Sequence, residues 1–525
     1  GNNKFVVGRR AGTGAEPASN SNFMGQSAGR NATNASYSNF IGSEAGYRAT
    51  NASYSNFLGS GAGYDATGAT NSNFFGSTAG SNATNATNSN FIGESAGRNA
   101  TNAANSNFIG SYAGNEATNA TNSNFLGDNA GNSATDASDS NFLGKSAGQG
   151  AINAFYSNFI GPSAGYDATD ASYSNFLGGS AGYNATNATN SNFLGNRAGR
   201  NATNASDSNF FGAGAGNGAT AATNSNFFGD ETGFNATNAY DSNFLGKNAG
   251  YEATNTANSN FIGSEAGYEA TNAYGSNFFG PSAGRSANNA NNSNFLGSSA
   301  GNGATNAASS NFIGNGAGSN ATYASYSNFL GQSAGQSATG ATMSNFIGHE
   351  AGSEATNSSQ SNFIGRLAGY GATAATTSNF IGFGAGQNAI IASYSTLIGY
   401  RVGLNVGANS IGSNNVIIGT NITLPSSTTN SINLGGVLFG TGTHSNITGA
   451  TPSFSAQTNG KIGIGVVSPT ANLHIAASTT ASAIMRLTVG PAPSSPNDGD
   501  IWLESNTLTG LKIRVSGVTR TINII

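Results

Sequence analysis

The chain has 525 residues, of which 77 are Gly, none is Cys and only 8% are charged, leaving a net charge of −4. An ordinary globular domain carries roughly 25% charged residues and about 7% Gly, so this composition excludes a string of average domains. It also excludes charge-driven disorder and the dense basic surface that a nucleic acid partner requires. Three His and one Trp make a thin inventory for catalysis, and the absence of Cys removes disulfides and Cys-ligated zinc. No stretch approaches the ~18 apolar residues needed to insert a helix in a membrane.

In chain order, residues 1–20 read as a degenerate capping rung, in which Val6-Val7-Gly8 and Ala11-Gly12 already keep the frame of a longer repeat. From Ser21-Asn22-Phe23 the triplet Ser-Asn-Phe returns every 17 residues to Ser378-Asn379-Phe380, and a worn copy comes next at Ser395-Thr396-Leu397-Ile398-Gly399. The array spans about residues 4–411, or 24 units of 17, with 21–411 as the shaft. Each unit reads Ser-Asn-Phe-(Ile/Leu/Phe/Met)-Gly-x-x-Ala-Gly-x-x-Ala-Thr-(Asn)-Ala-x-x, numbered here as positions 1–17.

A unit this short cannot hold a helical hairpin, and two Gly per unit weaken a helix by roughly 1 kcal/mol each. It suits one coil of a parallel β-solenoid, an all-β fold with one rung per unit, making a rod of roughly 115 Å at ~4.8 Å per rung. Gly at positions 5 and 9 (Gly25 and Gly29 in the first intact unit) is expected at the corners, where positive φ costs Gly nothing.

Positions 3 and 4 are both apolar, although neighbouring side chains on a strand point to opposite faces. Phe23, Phe40, Phe57, Phe74, Phe91 and Phe108 are the expected core ladder, packed on Ala at positions 8, 12 and 15. Met24, Ile41, Leu58, Phe75, Ile92 and Ile109 then face outward, the reverse assignment of the two ladders being the alternative. Such a strip exceeds what a soluble monomer exposes, so an oligomer with this ladder at its axis is expected. Asn at position 2 shares that outer face and is expected to form a side-chain amide ladder.

After Ile411 the frame slips, and 412–465 reads as an irregular β transition with echoes at Asn414–Gly419, Asn433-Leu434-Gly435 and Gly463-Ile464-Gly465. Residues 466–525 read as a small C-terminal β cap, with Ile501-Trp502-Leu503 and two alternating strands beyond it. The apolar termini Phe5, Val6 and Val7 at one end, and Ile522, Ile524 and Ile525 at the other, suit end-to-end strand addition.

The Ser-Asn-Phe-Ile-Gly…Ala-Gly…Ala-Thr unit resembles the head repeat of trimeric autotransporter adhesins, although its 17-residue period is longer than that family's usual unit. The resemblance implies a left-handed parallel β-roll with three chains packed together, outside the cell. Gly460-Lys461-Ile462-Gly463-Ile464-Gly465…Ser468-Pro469…Leu473-His474-Ile475, with Ala492-Pro493…Asp498-Gly499-Asp500-Ile501-Trp502, resembles phage tail-fibre and fibre-like bacterial proteins. No heptad stalk, membrane-anchor barrel or self-cleaving chaperone is recognisable, which shifts the expectation toward a free or polymerising fibre.

The residues that hint at chemistry have plainer explanations. His349, His444 and His474 are scattered. Gly144-Lys145-Ser146 lacks the first Gly of a phosphate loop, with Asp139 in its place, and Gly212 to Gly216 only imitates a dinucleotide motif. Acids such as Glu44, Asp65 and Glu94 occupy variable sites rather than a calcium ladder. Sequons at Asn31, Asn34, Asn82 and Asn85 are read first as turn ladders, and Tyr at positions 10 and 17 as solvent-facing decoration that could also meet surface glycans. The sequence therefore predicts a non-enzymatic extracellular fibre subunit without cofactor or metal, whose main partner is itself. A receptor-binding tail fibre with 412–525 as its tip, and an ice-binding face on Thr33, Thr50 and Thr67, are the alternatives.

Overall fold

The computed structural model describes residues 3–404, 411–443, 459–480, 483–504 and 511–522, and none of these is helical. Strands β1 (Lys4–Val7), β2 (Ser21–Met24) and β3 (Asn39–Ile41) begin a series that places one short strand every 17 residues as far as β24 (Thr396–Ile398). Each pairs in parallel with the next and in unshifted register, Phe40 opposite Phe57 and Ile41 opposite Leu58. The chain is a β-solenoid in which identical positions stack into columns.

From β3 onward each strand of the array is only three residues long, and the fixed glycines explain why it stops. Gly59, at position 5, has φ +138°, and a Cβ on it would lie 2.3 Å from the Gly76 carbonyl oxygen of the next rung. Gly80, at position 9, has φ +60°, and a Cβ there would lie 2.4 Å from the Phe74 ring. One glycine column lets backbones approach; the other makes room for the core ring.

Glycine does not act alone at the corners, contrary to the expectation from the sequence. Thr78, Asn82, Asn85 and Asn88, at positions 7, 11, 14 and 17, have φ of 52°, 57°, 50° and 56°. Asn tolerates this left-handed region better than most residues, which accounts for its recurrence along the arc. The alternation sends successive N–H groups to opposite neighbours. Gly63 N donates to Ala79 O ahead at 2.7 Å, Asp65 N to Tyr47 O behind at 2.8 Å, and Thr67 N to Ala83 O ahead at 2.9 Å. The whole coil is hydrogen-bonded to both adjacent rungs, and the strands are only its most regular part.

The interior is one continuous apolar column. The position-3 Phe rings and nearly all the Ala side chains at positions 8, 12 and 15 are 0% exposed. Successive rings from Phe23 to Phe278 lie 4.7–4.9 Å apart and are stacked close to parallel. The stack turns once, at Phe278–Phe295 (5.3 Å, 71°), and resumes to Phe380. Beside that step a row of parallel bridges opens at position 13, running from Thr271–Asn288 to Thr373–Ile390.

The position-1 Ser hydroxyl is buried with the core and bridges rungs. Ser361 Oγ donates to the Ala375 carbonyl at 2.6 Å and accepts from Ser378 N at 3.1 Å. Both backbone groups would otherwise be stranded inside the coil, a loss of about 1–3 kcal/mol each.

The parallel stack continues past Ile411. Strand β25 (Val416–Ile418) pairs in parallel with β24, and β26 (Ser431–Leu434) with β25. Asn415 takes over the serine role, its Oδ1 accepting from Ser431 N at 3.0 Å, and Ile417 fills the Phe place. At β26 the inward position is Asn433, whose amide donates to Thr423 O at 2.8 Å and accepts from Gly436 N at 2.9 Å. A self-satisfied polar side chain closes the apolar column there. The chain then reverses: β27 (Leu438–Thr441) is antiparallel to β26 and to β28 (Lys461–Ile464), and β29 (Leu473–Ile475) pairs in parallel with β28. The echo at Gly463-Ile464-Gly465 is therefore not another parallel rung, and Leu473–Ile475 joins the large sheet instead of the C-terminal one.

The last strands, β30 (Val489–Gly490), β31 (Ile501–Glu504), β32 (Leu511–Val515) and β33 (Val518–Ile522), form a separate four-stranded sheet, antiparallel from β31 onward.

Candidate association surface

The outer face of the strand column is built from positions 2 and 4. Alternation on each strand puts Phe inside and its neighbours outside, so Asn39, Phe40 and Ile41 are half-buried, buried and exposed in turn. The position-4 side chains keep about a third of their surface: Met24 38%, Ile41 37%, Leu58 36%, Ile92 36% and Ile109 38%, with Phe75 somewhat more covered. They cover one another along the rod but have nothing above them. The column runs unbroken to Ile398 and continues through Ile418 and Leu434. It far exceeds the few hundred Å² of contiguous apolar surface that a monomer normally exposes.

Beside it lies the amide ladder. Asn39 Nδ2 donates to Asn56 Oδ1 at 2.7 Å, Asn56 to Asn73 at 2.8 Å, and the chain of bonds continues to Asn362–Asn379 at 2.8 Å. All point the same way, so each amide polarises the next. The apolar column thus has an uncharged, self-satisfied border on one side.

The arc opposite is polar and carries shorter columns. Tyr47–Tyr64 and Tyr166–Tyr183 at position 10 stack at 5.0 and 4.9 Å, and Phe234, Tyr251 and Tyr268 form a run of three. Arg30 caps Tyr47, Arg200 caps Tyr183 and Arg285 caps Tyr268, with guanidinium carbons 5.4–5.7 Å from the ring centres. These rings are half-buried rather than fully solvent-facing. Burial, followed by the neighbouring Asp65 carboxylate, raises the Tyr64 phenol above its usual value; burial and then Glu252 do the same for Tyr251. For Tyr166 the Asp167 charge is the larger cause. At position 17, Tyr37 and Tyr54 stack at 5.0 Å and are exposed.

The sequon residues belong to ladders. Asn34 Nδ2 donates to Asn51 Oδ1 at 2.7 Å, Asn82 to Asn99 at 3.1 Å and Asn85 to Asn102 at 2.8 Å, while Asn31 is one of the positive-φ residues. On the Thr column that begins Thr33, Thr50, Thr67, hydroxyls further along accept backbone N–H groups, Thr84 from Asn102 at 3.2 Å and Thr101 from Asn119 at 3.3 Å. Those oxygens are committed to the coil.

The remaining candidates stay apart. His349 lies 3.8 Å from Glu350, His474 Nδ1 accepts from Thr470 N at 3.2 Å, and His444 lies outside the described residues. No group of His, Asp and Glu able to hold a metal occurs among the described residues. Gly144 and Ser146, like Gly212 and Gly216, are ordinary positive-φ corners of the coil. Among the described residues no helix is long and apolar enough to cross a membrane. Phe5, Val6 and Val7 are exposed on β1, and Ile522 is exposed on β33; Ile524 and Ile525 lie outside the described residues.

Two features were not foreseen from the sequence: the Ser column, whose only signal is invariance, and a groove between positions 14 and 16. The groove forms a cavity of about 610 Å³ lined by Asn238, Asn255, Asn272, Tyr240, Ala257 and Tyr274, among others. No family model, curated protein or solved structure matches the chain.

Proposed function

We propose that the chain is a non-enzymatic structural subunit of an extracellular fibre, a stiff solenoid shaft that associates with copies of itself along the position-4 column, three chains about one axis. The observation that carries this is the unbroken apolar column from Met24 to Ile398 on the outer face of strands whose inner face is already filled. Burying it removes apolar surface worth about 25 cal/mol per Å² from water, summed over more than twenty rungs. The resemblance to trimeric adhesin heads supports three chains, and the low charge adds no repulsion between shafts brought side by side. End-to-end growth through Phe5, Val6 and Val7 would lengthen such a shaft into a filament.

Light scattering on the native chain tests this. A particle of three times the 52.2 kDa chain mass is expected, and Ile109→Asp with Leu245→Asp should return it to one chain without loss of the β signal in circular dichroism. A native particle of single-chain mass would sink the proposal.

A second reading, a receptor-binding fibre with its tip in 412–525, is favoured by one observation: an apolar cavity of about 460 Å³ between Ile432, Leu434, Leu438, Phe439 and Ile462. Deleting 412–525 would then abolish host-surface binding while leaving the shaft's association intact.

A further inference from the structure

Along the shaft, stacked rings on adjacent rungs lie about one rung apart, at 4.7–5.3 Å, both inside the coil and on its surface. Tyr240 and Tyr274 occupy position 16 on rungs separated by one other, and the residue between them at that position is Ala257. This rung carries in reverse the Ala-Thr pair that stands at positions 15 and 16 elsewhere, as in Ala86-Thr87. Its neighbours read Ala239-Tyr240 and Ala273-Tyr274, whereas it reads Thr256-Ala257. Thr256 is fully buried, and its hydroxyl donates to the Thr237 carbonyl at 3.2 Å, so the exchange moves the polar group inward and leaves a gap outside. The gap has room for one six-membered ring at the spacing the shaft itself uses.

The floor of this gap is the position-14 amide ladder. Asn238 donates to Asn255 at 2.7 Å, Asn255 to Asn272 at 2.8 Å and Asn272 to Asn289 at 2.7 Å. Each interior amide spends one of its two N–H groups and one of its two acceptor positions on the ladder. One donor and one acceptor per rung are left over. None of the residues lining the cavity is charged, and Tyr240 and Tyr274 are 39% and 47% exposed.

We propose that the Tyr240–Ala257–Tyr274 gap is a binding site for a neutral saccharide, one pyranose ring held between the two tyrosines with its hydroxyls on the Asn ladder. A pyranose has C–H faces that pack on aromatic rings and an edge of hydroxyls that both donate and accept. That is the complement of two tyrosines over a row of carboxamides. A purely aromatic ligand would fill the gap but leave the amides unmet, and a charged one would find no counter-charge. The site lies on the arc, apart from the position-4 column, so it stands or falls independently of shaft association.

Calorimetric titration of the full chain with cellotetraose, mannotetraose and tetra-N-acetylchitotetraose, each to roughly 10 mM, tests the proposal. Binding of at least one of them, at one site per chain, is expected. Thr256→Ala with Ala257→Tyr restores the Ala-Tyr order of the flanking rungs and should abolish that binding while the thermal midpoint holds. Tyr240→Ser with Tyr274→Ser, which introduces a residue already found at position 16 in Ser206, should weaken it about tenfold or more, since each ring contributes stacking. Failure of all three sugars to bind, or undiminished binding by either double variant, would overturn the proposal.

Discussion

The shaft and the C-terminal sheet are both β structures, yet they hold their side chains in opposite ways. Strands β3–β24 are three residues long, and every Phe on them is 0% exposed at its inward position. Strands β32 and β33 are five residues long and joined by a local hairpin, yet no described residue in β30–β33 is buried, with Ile501 at 47% and Val518 at 56% exposure. Strand length therefore does not make the core here. The coil does, because each rung wraps its Phe with three Ala of its own arc and the rungs above and below seal it. The C-terminal sheet has hydrogen bonds without enclosure, which is the condition in which small sheets are marginal.

The sharpest way to break this contrast is to remove a ring from each side. Phe210→Ala deletes a fully enclosed ring that stacks at 4.8 Å on Phe193 and Phe227, and should cost about 3–5 kcal/mol. Because solenoid rungs are stabilised by nearest neighbours, denaturant unfolding tracked by far-ultraviolet circular dichroism should split into two transitions, one for each side of the lesion. The matching change in the sheet, Ile513→Ala, removes a half-exposed side chain and should shift unfolding by no more than about 1 kcal/mol. Trp502, the single tryptophan, sits on β31, so its fluorescence reports the sheet alone. Equal costs at the two sites would mean that an enclosure forms around the sheet as well.

A smaller loss separates polar from apolar contributions within the shaft. Ser208 Oγ donates to the Ala222 carbonyl and accepts from Ser225 N at 3.0 Å. Ser208→Ala leaves both groups buried and unpaired, for a cost of about 1–3 kcal/mol, read as a lower denaturant midpoint. Thr519→Ala, which removes an exposed acceptor of Arg514 at 3.2 Å, should have almost no effect, since water replaces that bond.

The same contrast governs how much was legible in the sequence. The period fixes the register, and with it the fold class, the inward Phe and the outward position 4, because parallel stacking turns each repeated letter into a column. Ser21 and its copies recur without a role legible in the sequence, because nothing in a small polar side chain says that it is buried until the carbonyl it bonds is located. Asn82 and Asn85 read as ladder residues, and their backbone role at positive φ was hidden behind the assumption that glycine makes the corners. The Tyr240–Tyr274 gap was missed because a consensus discards single events, and the transposed Thr256-Ala257 is one. The C-terminal region resisted because its pairings are no longer periodic: the slip at Asn414 still stacks in parallel, whereas Gly463-Ile464-Gly465, a similar echo, turns antiparallel.

The gentlest probe of the comparison is alkaline pH, because every tyrosine lies at or before Tyr400 and none in the C-terminal sheet. Burial first, then Glu252, raises the Tyr251 phenol; burial first, then Glu269, raises Tyr268; and burial first, then Asp65, raises Tyr64. A raised phenol favours the neutral form in the folded rod. That contribution is whole below the ordinary phenol value near 10 and is lost as the pH climbs through the elevated folded values. Absorbance titration should show these tyrosines ionising above the ordinary phenol value. The shaft's thermal midpoint should decline slightly above pH ~10, and Glu252→Gln should bring the Tyr251 ionisation to lower pH. The Trp502 signal should not track these tyrosines, since no phenol stands on its sheet. A phenolate-linked change in Trp502 fluorescence would mean that the two regions share an interface after all.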